Sequence, residues 1–506
     1  MKKTYIDTAM ERIAPDLILK GGNVVDVFSG RVIKADVIIK DGIICGVGSY
    51  SGENEQDVSG KYVMPGFIDS HVHIESSMTQ PSEYAKAVMP HGITTVIADP
   101  HEITNVCGED GLEFMLKSAK NIPLDVNLML PSCVPATPFE HTGANLDAKT
   151  TQKLAPKFFG IGEMMNYPGI VSGDDETLGK LCLDIIDGHA PLLSGHELDA
   201  YTSAGIKTDH ECSVVEEMTE KISKGMYILL REGTLSLDVA KLIKGVTPYT
   251  LRRCAFCTDD RFVGEIIRDG SIDHCIRKAV SLGLNNIDAI IMATLNACEM
   301  YGMKNKGAIA PSYVADIVVA DDLNLSSISQ VYKNGKLVCE NGTALFECET
   351  VDNSKVTNTV HLPKISADFF KTDVKDKFDA IELIPESIIT KKVTVSYSDS
   401  LSKVCVIERH HNLGTKGIGF VTNYGITNGA IATSIGHDSH NVIVIGDNDS
   451  DMALAVNTLG TSGGIAVCSE GKVIASMTLD IAGLMSVKSA DEVTREHDNL
   501  YSAAKV

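Results

Sequence analysis

Between Pro65 and Lys304 the sequence repeats one rhythm, a short apolar strand-like run followed by an amphipathic stretch. The strand candidates are Phe67–His73, Thr94–Asp99, Val126–Leu130, Phe158–Glu163, Pro191–Ser194 or the run just before it, Ile206–His210, Met226–Leu230 and Ala255–Asp259, with Gly111–Ala119 and Ser213–Lys224 among the helical stretches. Eight βα units over about 240 residues is the size of a metal-dependent (β/α)8 TIM-like barrel, an α/β fold whose chemistry sits at the C-terminal ends of its strands. The ionisable residues of these segments should therefore gather at those ends.

Short strands flank this region on both sides. Leu17–Leu19, Val24–Val27, Val37–Ile39 and Ile43–Val47 are punctuated by Gly21-Gly22, Gly30 and Asp41-Gly42; Ala315–Ala320 and Val331–Val338 follow much later, with Asn334-Gly335 as a turn. They suggest one split small β domain made from residues 1–63 and 306–345 around a barrel at 64–305. Residues 346–506 read as an additional C-terminal α/β domain, with strands Val393–Tyr397 and Lys403–Glu408, glycine-rich segments and the apolar run Asn441–Ile445. The order of Gly414, Gly417 and Gly419 is not that of a dinucleotide-binding loop.

A net charge of −22 leaves no basic surplus to displace counterions from phosphate, so a nucleic acid is excluded as partner and a small neutral substrate suits the chain better. Met1–Pro15 carries two lysines without an apolar run after them, so no secretory signal is expected there. No stretch approaches the roughly 20 apolar residues of a membrane helix. The 13 scattered cysteines fit a reducing, cytoplasmic setting. Cys254 and Cys257 have no second pair to complete a structural zinc site.

The first strand ends in His71-Val-His73 after a Pro65-Gly66 turn. Residues two apart on a strand share a face, so both imidazoles aim at one point, where a divalent first-row metal is their natural partner. Later strands end in Glu163, in Asp187-Gly-His189, in Thr208-Asp-His210 and in Cys257-Thr-Asp259-Asp260. Four histidines and two carboxylates are enough for two metals bridged by one carboxylate.

In this order of ligands the chain resembles the amidohydrolase superfamily over its first 340 or so residues. It is similar nearly end to end to the bacterial-type adenine deaminase family, through Met64–Met78, Pro90–Glu102, Gly162–Asn166, Asp187–Pro191, Thr208–Cys212, Cys257–Arg261 and Gly436–Asn441. The resemblance implies that His71, His73, Glu163, His189, His210 and Asp259 hold two divalent cations, manganese or iron before zinc. It also implies hydrolytic deamination of adenine to hypoxanthine and ammonia. Many two-metal relatives bridge their ions with a carboxylated lysine; here the fourth strand offers Glu163 and no lysine after Lys157.

On that reading Asp259, Glu163 and His210 are the catalytic candidates. Asp259 would carry the proton of the attacking water, with Asp260 the weaker choice, and His210 or Glu75 would face purine N1. Glu75, two residues past His73 and beside Ser76-Ser77, is expected to touch the purine. Asp99, His101 and Glu102 would position substrate or hold an accessory metal, while His437, with Asp438 and His440, would cover the barrel mouth. His91, His196, His410 and His411 receive no role.

Several rivals compete with this reading. Adenosine deaminases open with the same His-x-His but use one metal and lack the flanking β domain. Ring-opening amidohydrolases normally show the lysine bridge. The zinc base deaminases are mimicked by His73-Ile-Glu75 and the cysteine pair, yet Arg253 stands where their proline belongs. A metal-free scaffold would have lost ligands, and none is missing. The expected partners are adenine and water, with no nucleic acid and no membrane, in a homodimer or larger homo-oligomer.

Overall fold

A computed structural model of the chain describes residues 2–373, 376–384, 389–396 and 401–505. Eight parallel strands form its centre. Phe67–Val72, Ile93–Ala98, Asp125–Leu130, Gly160–Met164 and Ile186–Gly188 lie side by side in chain order, and Thr208–Asp209, Tyr227–Arg231 and Cys254–Cys257 continue the series. A parallel bridge between Val72 and Asp259 brings the last strand back to the first. Phe67–Val72, Ile93–Ala98 and Gly160–Met164 are buried at every residue, as strands covered on both faces must be. The fifth strand is the run Ile186–Gly188; Pro191–Ser194 instead forms the loop into the helix Gly195–Ser203.

The two flanks of the barrel share one sheet of nine strands. Tyr62–Pro65 lies between Leu17–Asp26, to which it is parallel, and Ile317–Ala320, to which it is antiparallel. Ile328–Lys333 and Lys336–Glu340 close tightly around Asn334 and Gly335. Lys306 and Lys333 both reach Asp125 and Asp316, fastening this sheet to the third barrel strand.

The C-terminal region is β-rich rather than regularly alternating. Eight strands, nearly all antiparallel, form one sheet with Ser402–Ile407, Val442–Gly446 and Gly429–Thr433 at its centre and the helix Asp449–Thr458 packed on it. The expected strand Val393–Tyr397 is observed as Thr390–Val395; Tyr397 lies outside the described residues. The last helix, Ala490–Ala504, starts with a Ser489/Glu492 capping box and packs against Val263–Asp269 and Pro81–Val88 of the barrel. Its Val493 and Leu500 join one apolar core with Tyr84 and Val263, so this region and the barrel are packed together. No helix among the described residues is long and apolar enough to cross a membrane.

The barrel rim is stiffened by a buried charge network. Lys221, fully buried, donates to the Ala190 carbonyl at 2.6 Å, to Glu217 at 2.7 Å and to Asp209 at 3.0 Å, tying the ends of the fifth and sixth strands together. Burial pulls its ammonium down, but Asp209 and Glu217 outweigh that and keep it charged. Lys221→Ala strands two buried carboxylates and is expected to lower stability by about 3–5 kcal/mol in urea unfolding followed by circular dichroism; a loss below about 1 kcal/mol would place the network among dispensable surface pairs.

Candidate metal centre and cavity

Each sequence-predicted ligand stands at a strand end, and the barrel brings all six together. His71 and His73 end the first strand, and Glu163 stands one residue before the end of Gly160–Met164. His189 and His210 directly follow the fifth and sixth strands, and Asp259 lies two residues beyond the eighth. Backbone bonds lock the first and last of these in register: Asp259 N–H donates to the His71 carbonyl at 3.0 Å and His73 N–H to the Asp259 carbonyl at 3.2 Å. Asp259 adopts a left-handed backbone (φ 58°), a conformation worth on the order of 1 kcal/mol of strain that its surroundings must hold in place.

Glu163 is the junction. Its Oε1 lies 3.3 Å from His73 Nε2 and 3.2 Å from His101 Nδ1; its Oε2 lies 2.6 Å from His189 Nδ1 and 3.3 Å from His210 Nε2. Asp259 Oδ1 is 3.2 Å from His73 Nε2 and 3.5 Å from His71 Nε2, and those two imidazole nitrogens are 3.2 Å apart. The ring of His71 stacks on that of His210 with centroids 4.1 Å apart.

These contacts define which atoms are free to coordinate. His73 Nδ1 lies 2.8 Å from the Asp99 carbonyl, which can only accept, so Nδ1 carries the hydrogen and Nε2 presents a lone pair. That lone pair faces carboxylate oxygens of Glu163 and Asp259, which are also acceptors. Lone pairs crowded around one point in a buried site repel unless a cation sits among them, and a nitrogen–oxygen donor set of this kind suits divalent first-row metals. The histidines respond to the same field. Burial pulls the His71 imidazole down, yet the nearby carboxylates of Asp187 and Asp259 leave it at about 10. Burial and His73 pull His101 down, and Glu163 carries it up to about 9. His189 is likewise held at about 9 by Glu163 against burial. Positive charge is strongly favoured here, and the residues fit divalent cations.

The centre forms the floor of a cavity of about 570 Å³. Two of the five residues expected to touch substrate line it, His101 and His437. Glu75, Asp99 and Glu102 do not. Glu75 belongs to a 3-10 turn, Ile74–Ser77, which ends the strand's alternation after His73 and rotates its side chain back into the protein. There Oε1 accepts the Ile103 N–H at 3.2 Å, and burial together with the charge of Glu102 pushes the Glu75 carboxyl up to about 8. Asp99 lies behind Glu163 and accepts its N–H at 2.9 Å; a Cβ on Gly162 would stand 2.1 Å from the Asp99 carboxylate, so only glycine fits. Glu102 accepts the Ser76 hydroxyl at 2.7 Å, and the same hydroxyl lies 2.5 Å from Asp260, which does line the cavity.

Arg231, Glu211, Phe262 and His497 are among the lining residues that sequence reasoning did not single out. Arg231 ends the seventh strand, one residue past the apolar run, and donates to Asp259 Oδ2 at 2.8 Å, to Asp238 at 3.2 Å and to Glu211. Its position at a strand end is the signal that could have found it, as is that of Glu211 beside His210. Phe262 and His497 contribute a ring pair with centroids 4.0 Å apart. His497 belongs to the last helix, more than 200 residues from the barrel strands, and nothing in its neighbourhood singles it out.

Residues 62–338 match the model of the amidohydrolase family and residues 383–506 that of the adenine deaminase C-terminal domain. Adenine deaminase of Clostridium acetobutylicum is 47% identical over 96% of this chain and 89% of its own length. The adenine deaminase of Nitratidesulfovibrio vulgaris strain Hildenborough is 43% identical over 99% and 90%, and that of Halalkalibacterium halodurans 44% identical over 95% and 87%.

If Glu163 joins two cation sites, Glu163→Gln weakens both at once. We expect the wild type dialysed against Mn²⁺ to hold about two equivalents by plasma mass spectrometry and to gain roughly 3 kcal/mol per site at a hundredfold excess over Kd, read as a rise in Tm. Glu163→Gln should hold less than one and lose the Tm response. An unchanged metal content in that variant would remove Glu163 from the centre.

Proposed function

Because the chain belongs to the adenine deaminases, within the amidohydrolase family, we propose that it hydrolyses adenine to hypoxanthine and ammonia. The observation that carries the reading is the convergence of imidazoles on both oxygens of Glu163 in the wall of a cavity. His71, His73, Glu163, His189, His210 and Asp259 are assigned to two divalent cations, manganese before iron and zinc, on the strength of a donor set with carboxylates and no thiolate. Bound there, the cations supply Lewis acidity and make a nucleophile of water near neutral pH.

The chain's own groups would then do the following. Asp259 takes the proton of the attacking water and passes it to the departing amine. Arg231 pins Asp259 Oδ2, which leaves Oδ1 turned toward the imidazoles and fixes the direction in which the proton moves. Attack at C6 drives electron density onto N1, which needs a donor facing it. With Glu75 shut behind the wall, His210 is left of the two residues expected there. Glu211, 3.6 Å from His210 and paired with Arg231, is placed to polarise that imidazole. His101 and His437 face the purine from the cavity wall. The apolar side of the cavity, with Met78, Leu235 and Phe262, gives a flat aromatic base a surface that excludes water.

Two broader assignments follow from the same reading. The 13 free thiols, most of them buried, support a reducing compartment such as the cytoplasm. A homodimer or larger homo-oligomer remains our assignment for the assembly. A metal-free scaffold is disfavoured because the full donor set is in place.

Incubation of Mn²⁺-loaded protein with adenine should release ammonia and shift the purine absorbance, with adenosine turned over far more slowly. Asp259→Asn should cut kcat by about 10²–10⁴. Absence of ammonia release from the loaded wild type would overturn the proposed reaction.

A further inference from the structure

Arg409 is among the largest fully buried side chains of the described residues, and none of its hydrogen bonds among them reaches a carboxylate. Its guanidinium donates to the His440 carbonyl through Nε, to the Ala482 carbonyl at 2.9 Å through Nη2 and to the Thr359 hydroxyl at 3.1 Å through Nη1. Burial lowers its pKa only to about 10, so it remains a cation. The slot is built closely around it: Gly483 has φ 68°, and a Cβ there would meet Nη1 at 2.6 Å. A buried cation among neutral carbonyls is expensive, and a smaller neutral donor would satisfy any one of them. A planar guanidinium is required only where several acceptors must be held at fixed angles to one another.

The acceptor reached through Nε belongs to the loop 436–441, which carries His437 into the cavity. The two residues after Arg409 reach the same region. His410 Nε2 donates to the Ser439 carbonyl at 2.8 Å, and His411 Nε2 to the Thr142 carbonyl at 3.1 Å. Thr142 lies next to His141, whose carbonyl accepts from Asn441 at 2.8 Å. Arg409 and His410 thus hold the loop directly, and His411 holds the neighbouring segment that Asn441 also grips. We infer that Arg409 is a positioning residue that holds His437 at the purine site by fixing the His440 carbonyl. The inference rests on the reading of His437 as a purine contact.

A double-mutant cycle separates the two claims. His437→Ala and Arg409→Lys are each expected to raise the KM for adenine about tenfold with kcat within about threefold, and the double variant should be no worse than the poorer single, because the tether and the residue it places act as one unit. Hydrogen exchange at residues 436–441 should speed up in Arg409→Lys while Tm moves little. A KM that rises about a hundredfold in the double variant, the product expected of independent sites, overturns the inference. So does a wild-type KM in Arg409→Lys. A silent His437→Ala in an enzyme that turns adenine over would defeat the reading of His437, leave the proposed reaction standing and remove the tether's purpose. If Arg409→Lys and Arg409→Gln both fail to fold, the guanidinium holds the fold rather than the loop, and the inference fails.

Discussion

Imidazoles from four separate segments meet on the carboxylate of Glu163, and most of the molecule is arranged to let them. In a buried site an ionised carboxylate is tolerated only where opposite charge or strong donors surround it. Glu163 obtains these on both oxygens, and burial, which alone would push its carboxyl up, is overruled by His189, His101 and His210. The contributing histidines are scattered from position 73 to position 210, so the arrangement exists only when the barrel is closed. Closure in turn depends on pairing near Val72 and Asp259, where first and last strand ends exchange backbone hydrogen bonds.

Around that junction stands a ring of groups that never touch the cavity and decide where its walls are. Asp187 lies 3.6 Å from His71 Nδ1 and is itself held by the Tyr301 hydroxyl at 2.9 Å, an arrangement that orients the ring and favours one tautomer. Asp99 grips the backbone of Glu163 and, through its carbonyl, the Nδ1 of His73. Asp69 accepts the hydroxyl and the N–H of Thr258, directly before Asp259. These buried acids are poor candidates for stabilising the fold, since each pays for desolvation. Their value lies in geometry, which a metal centre needs to within a fraction of an ångström.

What the sequence made legible follows a simple physical line. Strand alternation brings His71 and His73 to one face, and the rule that barrel chemistry sits at strand ends points to Glu163, His189, His210 and Asp259. Both depend on regular backbone, and the backbone is regular there. Glu75 stands off the cavity because strand alternation stops at His73, in a 3-10 turn that no propensity of Ile74-Glu75-Ser76-Ser77 announces. Arg231 was passed over because its strand was ended at Leu230, where the apolar run stops; a charged residue at the next position belongs to the rim by the same rule that found the others. His497 was beyond reach for a different reason. Its place depends on the packing of the last helix against Val263–Asp269, a contact between segments separated by more than 200 residues.

The C-terminal sheet solves a problem that the barrel leaves open. A (β/α)8 barrel presents its strand ends to solvent, and loops long enough to cover them tend to be mobile. Here Ile435, His437 and Asp438, from the connection between two central strands of a separate sheet, line the cavity, and that connection is pinned by the buried donors Arg409 and His410. Burial pulls the His410 imidazole down to about 4, so it stays neutral and keeps one hydrogen to give to the Ser439 carbonyl. A charged imidazole there would sit beside the Arg409 cation and repel it. His437, which lines the cavity, is instead pushed up, against burial, by Glu102, Asp260 and Asp438, so neighbouring histidines of one region differ in charge according to which of them the carboxylates can reach.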